Sequence, residues 1–263
     1  MSNDEPLGGG MANPGAVFRR GDSVLRPAPA SWPALHPFLR GLRAEGFVQA
    51  PVPTGPVVDG VEELEFLPGE VPIEPLPAWA DDEPILASVG TLLRKYHAAA
   101  GGVPFDASAP WSTELADPQG GPLLCHNDVC HENVVFREGN ARAIIDFDFA
   151  APGRREYDLA TMARMCVPIE PDEDAARSGR GGLDPAARLR LVADAYGLDR
   201  AGRRTMVTAL AGSIERGGEF VRRRVDAGEA AFIEMWNSMG GQERFDLREH
   251  RFVGGLLPPG GDP

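Results

Sequence analysis

Long apolar runs are missing from this 263-residue chain. Its longest uninterrupted stretches are a handful of residues, well short of the roughly 18 to 20 that a membrane span requires. The opening residues, MSNDEPLGGG, carry no charged-then-apolar signal pattern, so the chain reads as cytoplasmic with no membrane partner. Cysteine is scarce. Cys125, Cys130 and Cys166 form an odd set of three that makes a poor disulfide framework, in keeping with a reducing compartment. Basic charge is also short: 26 Lys and Arg face 39 Asp and Glu, a formal charge of −13. No Lys/Arg block with interleaved aromatics offsets it, which argues against a nucleic-acid partner, because a reader of the phosphate backbone needs a basic surface. No internal repeat is visible. With 43% hydrophobic and 25% charged residues, the chain can bury the core of one large domain or of two lobes.

Periodicity changes along the chain. Residues 16 to 27, AVFRRGDSVLRP, show two short β-like runs joined by Gly21-Asp22, and residues 55 to 67, GPVVDGVEELEFL, repeat the pattern around Asp59-Gly60. Between them the spacing of Leu35, Phe38, Leu39 and Leu42 predicts a helix from about Pro33 to Glu45, with Gly46 as its stop. The proline-rich stretch PGEVPIEPLPAWADDEP suits a connector. A helix capped by Asp81 or Asp82 then carries Ile85, Leu86, Val89, Leu92 and Leu93 on one face. PLLC, NVVF and ARAIIDF are short strand-like runs, with the turn REGN between the last two. Beyond residue 155 the pattern is helical, interrupted by PDEDAARSGRGG (171 to 182), which reads as a mobile surface loop.

The densest chemistry lies between those central strands, where residues 125 to 133 read CHNDVCHEN. Zinc is disfavoured because Cys125-His126 and Cys130-His131 are sequence neighbours that point apart on an extended backbone, with no second pair at the usual spacing. A cysteine nucleophile is disfavoured because the neighbouring base is adjacent only in sequence, and lone cysteines are mostly packed as small hydrophobes. The remaining pattern is His126-x-Asp128-x-x-x-x-Asn133, followed 13 residues later by Asp146. One carboxylate that receives or orients a hydroxyl proton, together with an amide oxygen and a second carboxylate as hard ligands, suits metal-assisted phosphoryl transfer.

These residues also carry a resemblance. HNDVCHENVVF followed by AIIDFDFAAPGRREYDLA resembles the catalytic loop and metal strand of the aminoglycoside phosphotransferase and choline kinase group, which have a protein-kinase-like fold. GGGMAN with VFRRGDSVLRP is similar to the glycine-containing hairpin and third strand over the nucleotide, and LEFLPGE to the hinge. The resemblance implies an α+β, two-lobed fold with a small antiparallel β N-lobe and a larger, mainly helical C-lobe. The expected divisions are a nucleotide-binding lobe at 1–67, a hinge and connector at 68–80, and a catalytic and acceptor-binding lobe at 81–263.

By the same resemblance, Asp128 is the catalytic base, Asn133 and Asp146 are Mg²⁺ ligands, Arg26 contacts the nucleotide phosphates, and Glu65, Phe66 and Leu67 form the hinge beside the nucleotide. His126 supports the loop through hydrogen bonds, Asp148 assists the metal or stands behind it, and Asp158 holds the loop from below. The implied activity moves the γ-phosphoryl group of ATP or GTP, with Mg²⁺, to a hydroxyl of a small molecule such as an aminoglycoside or amino alcohol. The acidic stretch Glu170, Asp172, Glu173 and Asp174 would border the acceptor cleft and favour a cationic acceptor. The chain departs from the family pattern in two places: Arg26 stands where lysine is usual, and Asn127 replaces the glycine of H-G-D. The expected helix offers His36, Arg40 and Arg43 but no carboxylate before Glu45, so it supplies Arg26 with no clear helix partner. Two rival readings share the same motif: a catalytically silent binding or immunity protein, and a kinase acting on peptide Ser/Thr hydroxyls.

Overall fold

Four short strands, each antiparallel to its neighbour, form the N-terminal layer. The computed structural model describes residues 4–8, 15–170, 172–238 and 240–243. In it β1 (Glu5–Pro6), β2 (Phe18–Arg20), β3 (Ser23–Pro27) and β4 (Val61–Glu65) follow the order β1-β2-β3-β4. The β2–β3 turn falls at Gly21, whose φ of 60° is open to glycine at little steric cost. α1 (Trp32–Ala44) connects β3 to β4 and buries Leu35, Phe38, Leu39 and Leu42, the face anticipated from their spacing. Pro33 sits in its first turn, where a missing N–H costs nothing.

The second N-terminal hairpin forms as a short, broken ladder. Asp59 and Gly60 turn, with φ of 51° and 76°, and the Val58–Val61 and Pro53–Leu64 bridges close across them, with the Thr54 N–H donating to the Glu63 carbonyl and the Glu65 N–H to that of Val52, both at 2.9 Å. On its other edge β4 pairs with β3, in a register that sets Arg26 opposite Glu62 and Ser23 opposite Glu65. Pro53 and Pro56 donate no backbone N–H, which keeps the first arm from becoming a regular strand. Of the glycines proposed to cradle phosphates, only Gly8 is described; Gly9 and Gly10 lie outside the described residues.

The connector is pinned to the lower part of the molecule at one point. Glu70 and Phe136 exchange both backbone hydrogen bonds, at 2.8 and 2.7 Å. Such close backbone approach explains Gly69: a Cβ there would meet Val135 Cγ1 at 2.3 Å and the Phe136 carbonyl oxygen at 2.6 Å. α2 (Glu83–Ala100) follows, burying Ile85, Leu86, Val89, Leu92 and Leu93. β5 (Leu123–Cys125) pairs with β8 (Ala151–Gly153), and β6 (Val134–Arg137) pairs with β7 (Asn140–Ile144) across the REGN turn. The rest is helical: α3 (Arg155–Cys166), α4 (Asp172–Arg177), α5 (Pro185–Tyr196), α6 (Arg200–Asp226) and α7 (Ala230–Ser238). α3 is the central helix, with Tyr157, Leu159, Ala160, Met162 and Ala163 all buried.

The result is an α+β fold with a small antiparallel sheet above a larger helical body. The segment read from sequence as a mobile loop is partly structured: α4 forms there and buries Ala175. Arg180 then ties the segment down, binding Asp81 at 2.9 Å and the Cys166 carbonyl at 2.8 Å. Among the described residues, no helix is long and apolar enough to cross a membrane.

Gly69→Ala is expected to lower stability by about 1 to 3 kcal/mol, because the added methyl meets backbone that cannot rotate away. A urea titration should show a reduced midpoint. Gly55→Ala, where the nearest atom would lie at 3.5 Å, is the control. Equal midpoints for the two variants would contradict the close-approach argument.

Candidate active site

The loop at 126–133 is held from below by one carboxylate. Asp158, fully buried on α3, accepts the backbone N–H of His126 and of Asn127, both at 2.8 Å, and pairs with His97 Nε2 at 2.9 Å. Tyr196 extends the chain through a 2.7 Å bond to His97 Nδ1. Burial alone would raise the Asp158 pKa, but the hydrogen bond and charge of His97 and the loop contacts outweigh it and leave the carboxyl below its ordinary range. Asn127 adopts φ 64°, the left-handed conformation that asparagine tolerates better than most residues. His126 bonds the Ile145 carbonyl through Nε2 at 2.9 Å and accepts the Asp128 N–H at Nδ1 at 3.2 Å. Its role in this geometry is that of a strut, and burial lowers its pKa.

Asp128 emerges at the top of this loop. Asn133 Nδ2 donates to both the backbone oxygen and Oδ2 of Asp128, each at 2.8 Å, so its own amide oxygen is directed elsewhere. The chain leaving β7 reaches Asp146, again left-handed at φ 64°, and continues to Asp148. Burial and the neighbouring Asp146 charge push both Asp128 and Asp148 up to about 7. Arg164, half-buried on α3, opposes the shift at Asp128 and has its own pKa lowered by burial.

Arg26 reaches this group from β3. Its Nη1 lies 2.8 Å from Asp146 Oδ1, its Nη2 contacts Asp148 Oδ1, and its Nε lies 3.0 Å from Glu62 Oε1. The sequence supplied no helix carboxylate for this cation; the structure supplies a strand carboxylate, brought across by the β3–β4 register. The three hinge residues lie at the edge of the same sheet. Glu65 pairs with Arg43, and the Phe66 ring packs 3.9 Å under the Arg19 guanidinium. The Glu65 and Phe66 N–H groups are committed to the Val52 and Asp22 carbonyls at 2.9 and 2.8 Å, so these two donors are not available to a nucleotide base. Leu67 is half-buried beside them.

Within the acidic stretch expected to border the acceptor, Glu170 pairs with Arg180 at 3.4 Å and Asp174 pairs with Arg177. A ladder of aromatic rings begins just after Asp148: Phe149 meets Phe220 edge-on at 5.4 Å, and Phe220 meets Phe232 at 5.6 Å. The Arg224 guanidinium sits 5.0 Å from the Phe220 centroid.

The other chemistries considered for the loop find no support here. Burial raises the pKa of all three thiols, that of Cys166 to about 12, so none is a ready thiolate. His97, Cys125 and Asp158 lie within metal-binding reach of one another. The His97 and Asp158 atoms are already taken up by the loop amides, by Tyr196 and by each other. The upper cluster offers hard oxygen donors: Asp146 and Asp148 share the Arg26 guanidinium, and Asp128 stands in the field of Asp146. Burial first, and the Asp146 charge after it, raises the pKa of Asp128 and Asp148. A site of this composition fits Mg²⁺.

These features together are those of a protein-kinase-like phosphotransferase fold. A profile of the phosphotransferase enzyme family matches residues 111–192. The trifolitoxin immunity protein of Rhizobium leguminosarum bv. trifolii is 31% identical over 215 residues, covering 79% of this chain and 80% of that protein. The chain belongs to the phosphotransferase enzyme family. Solved structures agree on the fold. A choline/ethanolamine kinase family protein from Mesorhizobium loti has a TM-score of 0.58 at 17% identity, covering 96% of this chain and 92% of that one. The macrolide 2′-phosphotransferase of Brachybacterium faecium has a TM-score of 0.53 at 16% identity, covering 89% of each chain.

The crowded carboxylates have a measurable consequence. A carboxyl that titrates near 7 when folded, but near 3.9 when unfolded, keeps a proton in the native state that the unfolded chain releases. Stability therefore falls as pH rises from about 4 to about 7. Asp128→Asn removes the Asp128 contribution and is expected to raise the melting temperature by about 2 °C or more at pH 7.5 without divalent cations, with little effect at pH 4.5. Thermal unfolding at the two pH values is the test. A variant less stable than wild type at pH 7.5 would contradict the assignment.

Proposed function

We propose that this protein transfers the γ-phosphoryl group of ATP, or of GTP, to a hydroxyl of a small molecule, using Mg²⁺. The reading rests above all on one convergence. Asp128 and Asn133 from the loop, Asp146 and Asp148 from the following strand, and Arg26 from the N-terminal sheet meet in one group although they come from three separate segments. Residues 1–67 would bind the nucleotide, 68–80 act as hinge and connector, and 81–263 supply the catalytic and acceptor side.

In this proposal Asn133 fixes one oxygen of Asp128, and the other accepts the acceptor hydroxyl proton as its oxygen attacks the γ-phosphorus. The bond to the β-phosphate oxygen breaks and the nucleoside diphosphate leaves. Mg²⁺, held by Asn133 and Asp146 with Asp148 at hand, would neutralise charge on the phosphate oxygens. Arg26 would add charge-assisted hydrogen bonds to those oxygens, Glu65, Phe66 and Leu67 would flank the base, and the Asp158 network keeps the loop rigid. Catalysis is then mainly positioning and charge neutralisation. The edge-to-face aromatic cluster of Phe149, Phe220 and Phe232 would supply apolar surface on the acceptor side. The paired acids at 170–174 give weaker support to a strongly cationic acceptor.

A second reading has its own support: a relative at 31% identity is an immunity protein, and Arg26 already holds both metal-strand carboxylates. A protein of this shape could sequester a small toxic molecule without phosphorylating it. Single-turnover transfer from γ-labelled ATP, screened across amino sugars, macrolides and amino alcohols, separates the two. On the transfer reading, Asp128→Asn reduces the rate by about 10²-fold or more while Mg-nucleotide still binds. Asp146→Asn and Asn133→Ala should lose both transfer and the Mg²⁺-dependent part of nucleotide affinity. If no acceptor is labelled and no variant differs from wild type, the silent binder takes the place of the kinase.

A further inference from the structure

We infer that Glu62, held in turn by His36, positions Arg26 for the nucleotide phosphates, so that the counter-charge of the phosphate-binding cation comes from the neighbouring strand. The inference rests on the phosphotransferase reading above and goes on to assign two residues to its machinery. Arg26 and Glu62 are directly opposed across β3 and β4. Their side chains are 9% and 2% exposed, and Nε lies 3.0 Å from Oε1, an ion pair held by charge at an angle outside hydrogen-bond geometry. The second oxygen of Glu62 is occupied as well: His36 Nε2, on α1, lies 2.7 Å from Oε2. Each carboxylate oxygen thus has one partner, and the pair joins the sheet to the helix packed against it.

Simple neutralisation of a buried charge would explain a contact between Arg26 and Glu62, but not its orientation. Glu62 takes the Nε edge, inside the N-terminal layer, while the two terminal nitrogens turn outward to Asp146 and Asp148 on the other side of the cleft. A guanidinium can be held at one edge and still present a fork at the other; an ammonium, with its donors on a single atom, cannot. That difference accounts for arginine at this strand position. No substitute is at hand. Lys95, the only lysine in the chain, lies on α2, and the sole carboxylate at the end of α1, Glu45, is exposed at its C-terminus. The remaining α1 cations serve other purposes, Arg43 pairing with Glu65 and Arg40 reaching the Pro53 carbonyl.

A double-mutant cycle tests the assignment. Mg-ATP is titrated calorimetrically into wild type, Glu62→Gln, Arg26→Ala and the double variant, with folding checked by circular dichroism. Glu62→Gln is expected to weaken binding about fivefold or more, and to add nothing once Arg26 is alanine, because Glu62 acts through Arg26. A purely structural Glu62 would produce losses that add. Unchanged affinity in Glu62→Gln, or additive losses, overturns the inference and leaves the phosphotransferase reading standing. Wild type that does not bind Mg-ATP removes both together. Should Glu62→Gln fail to fold, His36→Phe takes its place in the cycle: it keeps a ring beside Trp32, whose centroid lies 5.6 Å from that of His36, and leaves the Arg26–Glu62 charges paired. The same non-additive loss is expected, and wild-type affinity in His36→Phe overturns the inference. Arg26→Lys, which cannot hold Glu62 and present a fork together, should bind Mg-ATP as weakly as Arg26→Ala.

Discussion

One guanidinium holds three carboxylates, and the geometry of the cleft depends on it. Arg26 binds Glu62 within the sheet and reaches Asp146 and Asp148 at the end of the metal strand, so a single side chain links the upper layer to the helical body. Its positive charge is insufficient for the acids gathered there. Asp128 stands in the same field, and burial, with the Asp146 charge added to it, pushes the pKa of Asp128 and Asp148 up to about 7. Breaking a buried ion pair by deleting one partner leaves an uncompensated charge and typically costs about 3 to 5 kcal/mol. A cluster already short of positive charge is therefore suited to receive more of it.

The opposite condition holds directly beneath. Asp158 is saturated, with two loop amides and His97 on its oxygens and Tyr196 behind His97. That saturation fixes a backbone that is otherwise unfavourable, since Asn127 takes a left-handed conformation next to the catalytic residue. Strain of this kind persists only where the surroundings overdetermine it. A satisfied carboxylate below holds the loop rigid, and a cluster above it remains short of positive charge.

How much of this could be read from the sequence follows from the range of each interaction. The spacing from His126 to Asn133 and on to Asp146 is local, and it located the loop, the metal strand and the fold class. The face of α1 was legible for the same reason. Glu62 was not: it faces Arg26 only because β4 pairs with β3, a register that no nearby residue encodes. His97 and Tyr196 looked like ordinary buried residues on amphipathic helices, and their contact with Asp158 joins segments far apart in the chain. The acids of 170–174 were visible, but Arg177 and Arg180, present in the same stretch of sequence, turned out to neutralise them. A charge run shows composition, and only the fold shows pairing.

The central claim is that the upper carboxylates form a cation-dependent nucleotide site. Calorimetric titration of ATP into the wild-type protein, once with excess Mg²⁺ and once with a chelator, tests it most directly. The account predicts saturable one-to-one binding with Mg²⁺ and affinity at least about tenfold weaker without it, a difference of about 1.4 kcal/mol. Equal affinity under the two conditions, or no binding in either, would contradict it.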